Sequence, residues 1–126
     1  MKINEVVKKL NISHDTLRFY EKSGLLGAIR RDESGFRNYS DSDLKRIEFI
    51  LCMRNVGVPI EVLKQYMNLF DMGDDTIEQR KILLIEQKNK IDKKIEDMQA
   101  ASKKLEYKIN LYNEGKLDEY LKSGKN

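Results

Sequence analysis

The chain of 126 residues has no tryptophan, one proline, one histidine, one cysteine and seven glycines. A lone cysteine forms no internal disulfide, which suits a reducing compartment. One proline and seven glycines leave little material for the elaborate loops of an enzyme. There are no paired carboxylates in a loop context, no nucleophile–histidine set and no phosphate loop, so the sequence gives no support for an enzyme, and none is expected. No apolar run reaches the roughly 18 residues that a membrane helix needs. The first residues are amphipathic and lack the apolar stretch of a signal peptide. A cytoplasmic protein with no membrane partner is expected. The length allows one compact domain and an appendage, too little for two full cores.

Charge is present in quantity and unevenly placed. Charged residues make up 36% of the chain and apolar residues 40%, with a net charge of +3. Residues 1–40 hold eight cations (Lys2, Lys8, Lys9, Arg18, Lys22, Arg30, Arg31, Arg37) against five acids (Glu5, Asp15, Glu21, Asp32, Glu33). The remaining 86 residues balance, so the surplus lies wholly in the first third. A local positive excess is what a polyanion partner requires.

Ile3, Val6, Val7 and Leu10 recur at helical spacing and predict a first helix over about residues 2–10. Asn11–Ile12–Ser13 makes a tight joint, with Ser13 suited to cap the next helix. That second helix turns Leu17, Tyr20 and Phe19 toward the core in one arrangement, although spacing alone leaves Tyr20 to either core or surface. It stops at Gly24, a residue suited to a left-handed position. Two short helices with a three-residue joint form a helix-turn-helix. Residues 27–39 lack helical periodicity, and Ile29–Arg31 and Phe36–Tyr39 flank the polar turn Asp32–Gly35, a β-hairpin pattern. Ser40 caps a third helix with Asp41 and Asp43 in its first turn, ending at Gly57. Pro59 opens a fourth, whose buried stripe is Ile60, Leu63, Met67 and Phe70. Tyr66, Met67 and Phe70 are expected to be core, not a ligand box.

Gly73 breaks the chain again, and Asp75 with Glu78 resembles a capping box. From there to about Tyr112 nothing interrupts a helix, a rod of roughly 55–60 Å at 1.5 Å per residue. Ile77, Leu84, Ile91, Met98, Leu105 and Tyr112 follow one another every seven residues. The companion line is Lys81, Lys88, Ile95, Ser102 and Ile109, apolar only at Ile95 and Ile109. A head of about 70 residues is too small to bury such a seam, and the simplest partner is a second copy of the chain. Leu117, Tyr120 and Leu121 predict a short helix packing back on the rod, followed by a frayed end. The expected organisation is therefore a head at 1–70, a dimerisation helix at 74–112 and a tail at 113–126. The dimer seam comprises Ile77, Leu84, Ile91, Ile95, Met98, Leu105, Ile109 and Tyr112.

The second helix, about Ser13–Lys22, is a candidate recognition element. Ser13, His14, Asp15, Thr16 and Arg18 lie at its tip, with Tyr20 and Lys22 further along. A helix entering the major groove by its N-terminus needs short polar groups there with cations beside them. The hairpin adds Arg30, Arg31, Arg37 and Tyr39, groups suited to backbone phosphates more than base edges. An adaptor whose coiled coil recruits a partner, with a head that binds protein, is the competing arrangement.

TLRFYEKSGLL at Thr16–Leu26, RRDESGFRNYS at Arg30–Ser40, DLKRIEFI at Asp43–Ile50 and GVPIEVLKQYMNLF at Gly57–Phe70 closely resemble the MerR family of transcription regulators. The resemblance covers most of the chain. It implies a mainly α fold: a winged helix-turn-helix with a small β-hairpin wing, then a long helix forming an antiparallel coiled-coil dimer. It also implies double-stranded promoter DNA as partner, distorted so that its elements come into register, with RNA polymerase affected only through the promoter. By motif match Arg18 and Tyr20 fall where the family's second helix contacts DNA. Arg37 and Tyr39 fall where the wing touches phosphates. The family's common Tyr-Tyr pair here has Phe19 first, which therefore receives no DNA role.

Effector sensing diverges within the family. Metal-sensing members place cysteines around the dimer helix, whereas residues 74–126 contain neither cysteine nor histidine. No metal and no cofactor are expected. Drug-sensing members carry a large C-terminal domain, and this chain stops soon after its rod. There remains Cys52, in IEFILCMRNVG. Leu44, Ile47, Ile50 and Leu51 share one face of the third helix and Phe49, Cys52 and Val56 another, as if the helix were wedged between head and rod. Cys52 as a small buried hydrophobe is one option. Arg46 and Arg54 would favour its thiolate if they lay close. Ile47–Leu63 is similar to the thiol-based subgroup of the family that responds to aldehydes and nitrosative stress, which carries a lone cysteine at the matching place. That likeness makes Cys52 the candidate sensor.

Overall fold

The computed structural model describes residues 1–123. Six α-helices run in order: α1 Ile3–Leu10, α2 His14–Lys22, α3 Asp41–Asn55, α4 Ile60–Met72, α5 Ile77–Asn113 and α6 Leu117–Lys122. The mainly α fold is as the periodicities predict. The chain divides into two compact units, Met1–Gln87 and Lys88–Asn126. The frayed end expected of the last residues falls on 124–126, outside the described residues.

Local chemistry sets the ends of the helices in the first unit. Asn11 closes α1 in the left-handed region, with φ of 51°, which its short polar side chain tolerates. The Ser13 hydroxyl accepts from the Thr16 backbone N–H at 3.0 Å, starting α2 at the next residue. Gly24 follows α2 with φ of 80°, and the Leu25 N–H returns to the Tyr20 carbonyl at 3.1 Å. At α3 the cap is reciprocal: Asp43 N–H donates to Ser40 Oγ and Ser40 N–H donates to Asp43 Oδ2.

Val6, Leu17, Leu25, Ile47 and Ile50 are fully enclosed, with Leu44, Val58, Leu63 and Met67 around them. Burial of each such side chain stabilises the fold by about 1.5–3 kcal/mol. Phe49, Met53, Val62, Tyr66, Leu83, Leu84 and Gln87 close over a cavity of about 20 Å³, so the first turns of α5 pack against α3 and α4. The expected stripe of α4 needs one correction. Phe70 is half exposed and lies beneath two guanidinium groups, 5.7 Å from Arg46 and 5.2 Å from Arg80. Its ring is too near the end of α4 for the core to cover, and cations sit on its faces instead.

The start of α5 also differs from expectation. Asp75 and Glu78 do not form the cap; a 3₁₀ turn over Asp74–Thr76 leads into the helix. Thr76 is buried there, its hydroxyl 2.6 Å from the Leu69 carbonyl and 2.7 Å from that of Gly73, and Arg80 Nε donates to it at 3.0 Å. The Thr76 hydroxyl thus serves carbonyls left open at the end of α4.

In the second unit α6 folds back as predicted. Tyr120 and Leu111 are buried, and the Tyr107 and Tyr120 rings meet edge to face at 5.7 Å. Otherwise this unit leaves most of its large apolar groups open, with Ile91 and Leu117 half-buried. Ile95, Met98, Leu105, Ile109 and Tyr112 are all exposed, Met98 at 72%. In the first unit Ile77 and Leu84 of the same heptad line are exposed as well. Ile82 and Ile85, outside that line, are exposed too.

Candidate nucleic-acid interface

α2 presents two chemically distinct faces. Leu17 and Tyr20, three residues apart, point inward, and Tyr20 is only 5% exposed. Asp15, Arg18, Phe19 and Lys22 follow the i, i+3, i+4, i+7 rule and are all exposed. One correction follows. Tyr20 belongs to the core, where burial raises its pKa above the usual 10.0 against the pull of Arg54. Phe19, for which an inward position was one of the options, is 52% exposed and stands between the two cations. Spacing from Arg18 and Lys22 was the signal that could have found it.

At the tip of α2 the polar groups are partly committed. Ser13 Oγ and Thr16 Oγ1 lie 2.8 Å apart within the cap, and His14 Nε2 is 2.8 Å from Asn4 Oδ1 of α1. These contacts fix the rotamers of the tip and tie it to the preceding helix. Arg18 and Lys22 extend beyond it into solvent.

The expected hairpin is reduced to one antiparallel bridge, Arg31 with Arg37, and no strand forms among the described residues. Two backbone bonds flank it, from the Asp32 N–H to the Phe36 carbonyl at 2.8 Å and from the Asn38 N–H to the Arg30 carbonyl at 2.7 Å, and side chains bind the rest of the turn. Asp32 Oδ1 accepts from the Ser34 and Phe36 N–H groups at 2.9 and 3.0 Å, while Arg31 Nη1 donates to the Gly35 carbonyl at 2.8 Å. Gly35 turns the chain with φ of 86°. Lys2 pairs with Asp32, and its ammonium lies 5.7 Å from the exposed Phe36 ring. Arg30 and Arg31 are exposed.

The other two residues of the wing set lie deeper. Arg37 Nε donates to both carboxylate oxygens of Glu21, at 2.9 and 2.7 Å, and this bond holds the guanidinium pKa above its usual value. Tyr39 is 3% exposed and its hydroxyl is enclosed with no hydrogen-bond partner. Burial first, then the nearby Glu21 carboxylate, raises its pKa. The phosphate contact expected of Tyr39 is therefore corrected: its ring is core, and a hydroxyl sealed from solvent reaches no phosphate.

These elements make one outward surface of cations, an aromatic ring and short polar groups on a capped helix beside a basic turn. Residues 1–69 match the family described as "MerR HTH family regulatory protein", and residues 44–107 match "MerR, DNA binding". The chain belongs to the MerR family. It is a DNA-binding transcriptional regulator and not an enzyme. Among relatives of this MerR-family chain is the HTH-type transcriptional regulator AdhR of Bacillus subtilis (strain 168). It is 44% identical over 72% of this chain and 65% of its own length. A MerR family transcriptional regulator from Listeria monocytogenes has a crystal structure that superposes with a TM-score of 0.87 and 38% identity, covering 98% of this chain and 95% of that one. HiNmlR, a MerR family regulator lacking the sensor domain and crystallised bound to promoter DNA, superposes with a TM-score of 0.82 and 34% identity, covering 92% of each chain.

Cys52 does not occupy a packed junction within the subunit. It is exposed, as is Val56, and Phe49 leans on Tyr66 with ring centroids 5.6 Å apart. The face of α3 that bears the thiol is covered at Phe49 and open at Cys52 and Val56. Nor do the two arginines serve it. Arg46 binds the Leu25 carbonyl at 2.6 Å and Asp71 at 2.7 and 3.0 Å, and Arg54 binds the Val58 carbonyl at 2.8 Å.

Proposed function

We propose that this chain binds promoter DNA as a homodimer and distorts it to control transcription, responding to reactive aldehydes, electrophiles or redox stress through Cys52. The observation that carries the DNA contact is the exposed i, i+3, i+4, i+7 face of α2, Asp15–Arg18–Phe19–Lys22. Ser13, His14 and Thr16 form the polar tip that enters the major groove, Arg18 and Lys22 flank it, and the Phe19 ring suits a thymine methyl. Arg30, Arg31 and Arg37 engage backbone phosphates. HiNmlR, similar over nearly its whole length, is bound to promoter DNA.

Dimerisation rests on the open apolar seam. Ile77, Leu84, Ile91, Ile95, Met98, Leu105, Ile109 and Tyr112 pair with the same residues of a second copy in an antiparallel coiled coil. We assign the head to 1–70, the dimerisation helix to 74–112 and the tail to 113–126. A soluble chain rarely leaves so many large apolar groups to water. The regulator acts in the cytoplasm, and RNA polymerase responds to the altered promoter without direct contact.

The sensor reading rests on access. An exposed thiol can add across an aldehyde carbonyl, forming an S–C bond while its proton passes to the oxygen. Gel-shift titration with the DNA upstream of the chain's own gene tests the whole. Affinity should fall steeply with salt as phosphates release counterions. Binding that ignores both sequence and salt would end this reading.

A further inference from the structure

Glu21 is an acid on the surface assigned to a polyanion, where its charge alone would repel DNA. It is placed at the end of α2 and takes Arg37 Nε with both oxygens, joining the recognition helix to the basic turn sixteen residues later. The pair is partly sheltered, with side-chain exposures of 21% for Glu21 and 32% for Arg37. Because the contact uses Nε, it leaves both Nη groups of Arg37 unused by that carboxylate. Beside it opens a pocket of about 340 Å³ lined by Lys2, Ile3, Asn4, Arg31, Phe36 and Arg37, three cations and no acid. Each cation is already held from within the chain: Lys2 by Asp32, Arg31 by the Gly35 carbonyl, Arg37 by Glu21.

We propose that Glu21 is a positioning residue for DNA binding, fixing the Arg37 guanidinium by its Nε so that its Nη groups meet a backbone phosphate at the cation-lined pocket. An arginine side chain free in solvent loses rotamer entropy when it engages a phosphate; one already held loses less. Glu21 thereby strengthens binding to an anion although it is itself an anion. This inference rests on the DNA-binding reading above.

The sign of one substitution separates positioning from simple charge. A fluorescein-labelled duplex of the DNA upstream of the chain's own gene is titrated with the full-length protein at several salt concentrations. Removing an acid by Glu21→Ala should tighten binding if charge alone matters. Positioning requires the reverse: about tenfold weaker binding, with the slope of log K against log salt reduced by about one, as for Arg37→Ala. The double variant Glu21→Ala/Arg37→Ala should bind no worse than Arg37→Ala, since the two residues act as one unit. Glu21→Gln keeps an oxygen for Nε and should stay within about threefold of the parent. If Glu21→Ala loses its helical signal, Arg37→Lys serves instead. It keeps the charge but has one ammonium for two partners, and should weaken binding to the same degree. Parental or tighter affinity in Glu21→Ala, or parental affinity in Arg37→Lys, overturns the proposal. A parent protein without salt-dependent preference for its own upstream DNA overturns the DNA-binding reading itself, and this proposal with it.

Discussion

Two regions of this chain use the same kinds of residue to opposite ends. In residues 1–87 isoleucine, leucine and valine close on one another, and five of them lose all contact with water. In residues 88–123 only Leu111 and Tyr120 among the large apolar groups are buried, while Ile95, Met98, Leu105, Ile109 and Tyr112 stay open. The first region encloses a core within one chain, although Met72, Ile77, Ile82, Leu84 and Ile85 stay exposed toward its end. The second covers little of its apolar surface, and a helix whose apolar seam faces water needs another chain to cover it. Stability and assembly are thereby separated along the sequence, which makes them separable by mutation.

The largest effect belongs to the closed region. Leu17→Ala removes a fully buried side chain behind the recognition helix and should cost about 2–5 kcal/mol, visible as a lowered denaturant midpoint. A loss below about 1 kcal/mol would mean that the head's core lies elsewhere. The same kind of change in the open region should behave differently. Met98→Glu should alter the stability of an isolated subunit by no more than about 0.5 kcal/mol, yet sedimentation should show monomers. A Met98→Glu protein still paired at micromolar concentration would break the comparison.

Much of this was legible beforehand because it depends on periodicity and on caps. Ser13, Ser40 and Gly24 mark ends that backbone chemistry fixes locally, and the heptad from Ile77 to Tyr112 repeats without a miss. Where the sequence misled, two chemistries competed for one group. Tyr20 and Phe19 are adjacent aromatics, and only the packing of Leu17 decides which turns inward. Tyr39 carries a hydroxyl that suggests solvent, but its ring fills the head's core. The wing pattern was sound in its turn, and backbone bonds flank the Arg31–Arg37 bridge, yet the Asp32 side chain takes the Phe36 N–H and pairing stops there. The exposed state of Cys52 was beyond reach, because the second apolar face of α3 is covered within the subunit at Phe49 but not at Cys52 or Val56.

Smaller effects sharpen the account at the surface. Arg18→Ala should weaken operator binding by about 1–3 kcal/mol and relax sequence preference if a base edge is read. Phe19→Ala should weaken binding less, with no change in salt slope. Cys52→Ser should bind DNA within about twofold of the parent while losing induction by reactive aldehydes in a reporter strain; full induction would remove Cys52 from sensing.

The smallest effect concerns Tyr39. Its buried hydroxyl lacks a partner, so Tyr39→Phe should leave stability at neutral pH unchanged or raised. Burial raises the folded-state pKa of Tyr39 above 10.0, so the neutral phenol's contribution is intact below pH 10 and is lost as pH rises through that higher value. Tyr39→Phe should therefore soften alkaline unfolding. Tyr20 shifts in the same direction and keeps part of that limb. Alkaline melts of the two proteins that coincide would contradict this.

The central claim is that the open seam is covered by a second copy, bringing two heads to one duplex. Sedimentation equilibrium of the full chain, alone and with its upstream DNA, measures this directly. The account predicts a species of twice the 14.8 kDa subunit mass at micromolar concentration, and two subunits per duplex. A monomer that binds the same DNA one to one, with unreduced affinity, would contradict it.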